Sequence, residues 1–128
     1  MKFSLLTPEG ELYSAEVEEV TAQGIEGELG ILPDHIPLVT SLEVAPLNIV
    51  SNGQPTSFAV YGGMLQVAPD KVTVLADNAE LPTQIDKQAA MTRKDQIQTQ
   101  IGRSHDEAEI ESLKVELETI EVQIEVAS

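Results

Sequence analysis

Cysteine is absent from the 128 residues, so neither disulfides nor thiolate metal sites can hold the chain together. The only two histidines, His35 and His105, lie far apart in the chain. A metal site would therefore have to rest on carboxylates, and no carboxylate spacing suggests one. Both histidines read as ordinary polar side chains. Basic residues are also scarce, 7 Lys and Arg against 22 Asp and Glu, for a net charge of −15. A field of that sign repels nucleic acid and anionic lipid. The nearest thing to a basic patch is Arg93, Lys94 and Arg103, with acidic residues close behind. Long apolar runs are missing too. The stretch Phe3-Ser4-Leu5-Leu6 is too short for a secretory signal, and nothing approaches the length of a bilayer span. These absences predict a cytosolic protein with no nucleic-acid partner and no direct membrane insertion, which reaches a membrane only through another protein.

What is present is organised around Gly24 to Thr40. Glycines at 24, 27 and 30 permit positive φ or close backbone approach, while Pro33 and Pro37 fix φ and remove two donors. Ile25, Leu29, Ile31, Leu32, Ile36 and Leu38 are too many apolar residues for a solvated loop. The glycine spacing is not that of a phosphate or dinucleotide loop, and the two prolines argue against an immediate helix. Local physics predicts a pair of tight turns in a β-domain against which something packs.

The flanking sequence predicts many short strands. Residues 2–6 and 11–22 are strands about the turn Thr7-Pro8-Glu9-Gly10. Within the second, Glu18-Glu19 break the alternation, which a β-bulge would restore. Leu38 to Val50 is a strand in which Pro46 favours an edge or a break. Asn52-Gly53 predicts a two-residue hairpin, because both central residues of a type I′ turn need positive φ. The glycine pair in Tyr61-Gly62-Gly63-Met64-Leu65-Gln66-Val67 predicts a bulge or close approach, with Met64 and Leu65 either facing a partner or filling the core, the core being favoured. Pro69-Asp70 is the next turn and Val72 to Ala76 the last strand. Such a pattern means a β-sandwich or barrel, ending near Glu80.

Beyond Leu81-Pro82-Thr83 the periodicity becomes helical. Thr83 with Asp86 is a capping signature, and Ile85 to Ile101 lacks proline and glycine and carries Ala90, Ile97 and Ile101 on one face. Gly102-Arg103 is expected to break this helix, and Ser104 with Glu107 to cap the next. In the second helix Ile110, Leu113, Leu117, Ile120 and Ile124 recur at steps of three and four, a narrow seam for a partner helix. Val122, Ile124 and Val126 alternate as in a strand, but the helical stripe covers the longer span. A two-helix hairpin of this size buries one thin seam and is marginal alone, so it must dock on the β-domain or on another protein.

The run Gly-Glu-Leu-Gly-Ile-Leu-Pro-Asp-His-Ile-Pro-Leu-Val-Thr at 27–40 resembles the signature segment of the epsilon subunit of F-type ATP synthases. The glycine-pair strand at 61–67, the segment Val72 to Glu80, and a helical hairpin with Ser104-His105 near its turn are similar in the same order. The resemblance implies an α+β protein: an N-terminal antiparallel β-sandwich of about ten short strands over 1–82, binding gamma and the rotor ring, and a C-terminal α-helical hairpin over 83–128. It implies a central-stalk rotor subunit without an active site, peripheral on the cytoplasmic face of the cell membrane. Its partners would be the gamma subunit, the membrane rotor ring and, through the hairpin, the alpha and beta subunits. Glu28 would meet the ring, with Leu29, Ile31 and His35 nearby.

In many family members the hairpin restrains ATP hydrolysis, and in some it binds ATP. Here Ile85-Asp86-Lys87-Gln88-Ala89-Ala90 carries Ala89 where the family's nucleotide motif has arginine, which removes a fixed guanidinium donor. At most a weak ATP site is expected, from Ile85, Asp86, Ala90 and Arg93, and no cofactor is assigned. The second helix sets Lys114 alone against eight acidic residues between 106 and 126, a surface that repels triphosphate and acidic protein segments alike. Two other classes compete. A free-standing acidic adaptor would explain the charge but not three ordered family segments, and a cupin-like enzyme would need the metal ligands that are missing.

Overall fold

The computed structural model describes all residues, 1–128, with eight strands, a 3₁₀ turn and two helices. The strands are β1 (Lys2–Thr7), β2 (Gly10–Glu16), β3 (Glu19–Gly24), β4 (Gly27–Ile31), β5 (Leu38–Ser51), β6 (Gln54–Ala68), β7 (Lys71–Ala76) and β8 (Ala79–Glu80). The turn at Pro82–Gln84 leads to α1 (Lys87–Arg103) and α2 (Glu107–Ala127). Hydrogen bonding orders the strands β2-β1-β7-β6-β5-β3-β4, with β8 added to β6. All pairs are antiparallel except β1 with β7, which run parallel.

The two long strands make a sandwich of this one ladder. The second half of β6 pairs with β7, whereas its first half pairs with β8. β5 follows β6 along its length, and only its ends pair with β3. The sheet thus folds over along β5 and β6 and encloses 17 buried side chains, from Phe3 and Leu5 through Val20, Ile31, Ile49 and Phe58 to Leu65 and Val74. Phe58 stacks on Phe3 at 6.1 Å and meets Tyr13 at 4.8 Å, so both phenylalanines join the layers.

Several local expectations are met. Asn52 and Gly53 take φ of 53° and 75° between Ser51 and Gln54, as a type I′ turn requires. Gly62 and Gly63 have φ of 84° and 137°, and a Cβ on Gly63 would lie 2.3 Å from Leu75 O. This is a close approach that only glycine permits.

Other expectations are corrected. Residues 11–22 are two strands, because Val17 and Glu18 carry the chain between layers. Val17 N–H donates to Met1 O at 2.8 Å and Glu18 N–H to Val50 O at 2.7 Å. The bulge lies instead opposite β1, where the register shifts between Leu5 and Leu6. Of the edge or break expected at Pro46 the structure shows the edge: Pro46 sits opposite Ala59, where the β3–β5 ladder is interrupted and no N–H is required on that side. Asp86, not Thr83, caps α1 by accepting from Ala89 N at 3.0 Å. Gly102 stays helical, and Ser104 closes α1 while Asp106 caps α2 by accepting from Ala108 N at 3.0 Å. In each case a carboxylate nearer the first free N–H groups displaces the hydroxyl.

Glu18 also accepts from Asn52 N at 3.1 Å and Gly53 N at 2.9 Å, so it pins the β5–β6 turn from the layer crossing. Glu18→Ala should lower the urea midpoint by a stability loss of about 1 kcal/mol with the m-value unchanged.

Candidate interaction surfaces and the hairpin junction

The Gly24–Thr40 segment divides into a buried and an exposed set. In β4 the pleat turns Leu29 and Ile31 inward and Glu28 and Gly30 outward. Ile31 has 0% exposure and belongs to the core, which corrects its assignment beside Glu28 as a contact residue. Leu29 is half-buried against the same core. Glu28 is exposed opposite Gln23. Next, Leu32-Pro33-Asp34-His35 forms a turn in which His35 N–H donates to Leu32 O at 3.2 Å and Asp34 has φ of 66°. Asp34 N–H donates to Pro69 O at 2.9 Å, tying this loop to the β6–β7 turn at one end of the sandwich. His35 Nδ1 lies 2.7 Å from Ile36 O, so Nδ1 carries the proton. Ile25 and Ile36 are 65% and 79% exposed, and Leu32 is exposed as well. These three are missed by an argument from apolar content, which cannot separate core from surface within a turn.

A second apolar surface lies where β6, β7 and β1 run side by side. Met64 pairs with Leu75, and Leu75 with Leu6. Met64 is 42% and Leu75 39% exposed, beside Pro8 and half-buried Leu6 around a shallow cleft of about 450 Å³. Leu65 is core as expected, whereas Met64 is not: in a strand, neighbours point to opposite faces.

At the hairpin junction, Ile85, Asp86, Ala90 and Arg93 line one cleft of about 260 Å³ with Glu80, Ala89, Ile120 and Gln123. Every charged group there is engaged. Asp86 is the α1 cap, and Arg93 grips Glu116 through Nε at 2.6 Å and Nη2 at 2.9 Å. That bidentate bond holds the Glu116 carboxyl below the usual carboxylate range and raises Arg93 further. Glu80 accepts from the Tyr61 hydroxyl and from Gln123 Nε2, the latter at 2.9 Å. Burial first, then the bond to Glu80, pushes the Tyr61 phenol well above its ordinary value.

The seam forms as its spacing predicts. Leu113 and Ile120 are buried with Ala90 and Ile97, while Leu117 and Ile124 pack at the margin with Ile101. Ile110 is half-buried outside this cluster. Val122 and Val126 face away from the seam and pack on Ala59, flanked by Val44, Tyr61 and Ile85. The apparent strand alternation at 122–126 is thus two helical faces interleaved. The i, i+4 step from Val122 to Val126 is the signal for the second.

The family described as ATP synthase, Delta/Epsilon chain, beta-sandwich domain, matches residues 1–82. The ATP synthase epsilon chain of Bacillus velezensis is 35% identical over 127 residues, 99% of this chain and 96% of that one. That of Brevibacillus brevis is 41% identical over 108 residues, 84% and 82% of the two chains. Among solved structures, a chain of the Euglena gracilis mitochondrial ATP synthase OSCP/F1/c-ring assembly superposes with a TM-score of 0.83 at 23% identity, over 98% of this chain and 79% of that one. A chain of the Tetrahymena thermophila central stalk/c-ring assembly gives 0.61 at 15% identity, over 100% and 96%. These two establish the shared fold. The match across the sandwich and the near full-length identity to epsilon chains together show that the chain belongs to the ATP synthase epsilon-chain family.

Proposed function

We propose that this chain joins the gamma subunit to the membrane rotor ring in the central stalk of an F-type ATP synthase, and turns with both. It is a non-catalytic subunit of that complex. The observation that carries the reading is the exposed apolar pair Met64 and Leu75 on a chain of net charge −15. Such a patch on an otherwise charged surface marks a protein interface, and gamma is the partner assigned to it. The ring is assigned to the opposite kind of feature, the shaped loop with Glu28, Leu32, His35 and Ile36, where a carboxylate and a ring nitrogen stand among exposed apolar side chains. No helix is long and apolar enough to cross a membrane. The rotor reading makes the subunit peripheral, held at the cytoplasmic face by its partners.

The hairpin is assigned no nucleotide. Its junction cleft presents Glu80 and Asp86, and the one guanidinium there is committed to Glu116. A triphosphate would meet acids and a neutralised arginine. The hairpin is assigned no electrostatic brake either, since α2 is acidic from its first turn.

The test is reconstitution of the catalytic complex carrying gamma, with the full chain and with a version ending after Gln84. The shorter version keeps all 17 core residues and Leu81, which packs against them. Both versions should bind gamma and give the same rate of ATP hydrolysis. Slower hydrolysis with the full chain alone would show a brake acting through apolar packing of the seam. Failure of both to bind would sink the rotor reading and leave the acidic adaptor.

A further inference from the structure

The chain holds three asparagines, Asn48, Asn52 and Asn78, and the fold treats them differently. Asn48 lies in β5 before buried Ile49, and its Oδ1 accepts from the Ser57 hydroxyl. Asn78 Oδ1 accepts from the N–H of the next residue, Ala79, at 2.9 Å. Asn52 is exposed and is followed by Gly53, which is exposed too and has nothing within 4 Å of where a Cβ would stand. Before a glycine, the next backbone nitrogen reaches an asparagine side chain most readily, because no Cβ obstructs it. The same pair makes the β5–β6 turn, with φ of 53° and 75° between paired Ser51 and Gln54. One carboxylate from a distant part of the chain holds both of its amides. Asn52 N–H donates to Glu18 Oε2 at 3.1 Å and Gly53 N–H to Glu18 Oε1 at 2.9 Å.

We propose that Asn52 is the deamidation site of this chain and that the Glu18 carboxylate sets the rate of the reaction by holding its nucleophile. Water is the only co-reactant. Gly53 N attacks Asn52 Cγ, and the new N–Cγ bond closes a succinimide as the Cγ–Nδ2 bond breaks. Ammonia leaves, carrying the proton that Gly53 N gives up. Water then adds at either ring carbonyl and opens the ring, giving aspartate, or isoaspartate with the main chain running through Cγ. Glu18 opposes the first step twice. Its Oε1 engages the hydrogen of the attacking nitrogen in a charge-assisted bond, and its charge disfavours negative charge developing on that nitrogen. The second bond, from Asn52 N–H, resists the backbone rotation that brings Gly53 N to Cγ. The product weakens this hold. Each event places a new carboxylate beside Glu18 and leaves the chain one unit more negative than −15. Isoaspartate also adds a methylene to a two-residue turn that fixes the register of β5 on β6. The inference stands apart from the rotor assignment and needs no partner to be tested.

The experiment is peptide mapping of the full-length chain after prolonged warm incubation at neutral pH, scoring aspartate and isoaspartate at positions 48, 52 and 78. Wild type is compared with Glu18→Ala, Glu18→Gln and Gly62→Ala. Wild type should convert slowly, and first at position 52. Glu18→Ala should convert position 52 about tenfold faster or more. Glu18→Gln keeps one acceptor but loses the charge, so its rate should fall between. Gly62→Ala is a loss of stability of similar size away from the turn, and it should convert at the wild-type rate because the Glu18 bonds remain. Wild-type rates at position 52 in both Glu18 variants would overturn the proposal. So would an equal acceleration by Gly62→Ala, which would trace the reaction to general loosening of the fold. Conversion that begins at position 48 or 78 would overturn the assignment of the site.

Discussion

Gly63→Ala is expected to cost about 3–5 kcal/mol, a large share of the roughly 5–15 kcal/mol that holds an ordinary domain folded. Two effects add. At φ of 137° an L side chain is strained, and the new Cβ would lie 2.3 Å from Leu75 O and 2.7 Å from Ala76 Cα. Both obstructing atoms are backbone in the neighbouring strand, so no rotamer change relieves them. The β6–β7 ladder would have to open between Gly63 and Ala76, where the sheet turns from one layer to the other. Gly62→Ala is the internal comparison. Its φ of 84° is also positive, but its nearest obstruction is Asp77 Oδ2 at 3.1 Å, the end of a mobile side chain. It should cost roughly 1 kcal/mol. Urea unfolding of the two variants checks both numbers, and equal losses would refute the close-approach account of Gly63.

The double variant Met64→Glu, Leu75→Glu is expected to bind gamma about 100-fold more weakly while folding normally. Two carboxylates in a dehydrated apolar contact cost a few kcal/mol, and each 1.4 kcal/mol is a factor of ten. The fold should survive because both side chains point outward and neither belongs to the 17-residue core. Copurification with gamma measures the loss, and circular dichroism and the urea midpoint report the fold. Undiminished binding would move the gamma contact elsewhere. The loop variant Glu28→Ala with Ile36→Ala should leave gamma binding intact, since it alters only the proposed ring-facing end.

Three features of the fold were legible in the order of residues. Asn52-Gly53, Gly62-Gly63 and the 110–124 stripe each carry a local geometric requirement. A type I′ turn, a close approach and a helical seam can each be read within a few residues. Other features were not. Leu29, Ile31, Leu32 and Ile36 have similar hydropathy, yet Ile31 is core and Ile36 is 79% exposed. The difference is set by which side of β4 faces the enclosed core and by where the Leu32–His35 turn ends the strand. The helix caps were misassigned for a similar reason. Thr83, Asp86, Ser104 and Asp106 all qualify by type, and only the paths of the two joints, β8 to α1 and α1 to α2, choose among them.

By itself the sequence determined the family, the α+β order of strands before helices, the hairpin seam and the missing nucleotide arginine at Ala89. These depend on local periodicity, turn chemistry and identity at single positions. Only the tertiary structure decided that Arg93 is committed to Glu116, that Val122 and Val126 dock on Ala59, and that Glu80 joins Tyr61 to Gln123. Each of those contacts links residues 19 or more positions apart. Their pairing follows from how strands and helices distant in the chain settle against one another, which no local pattern encodes.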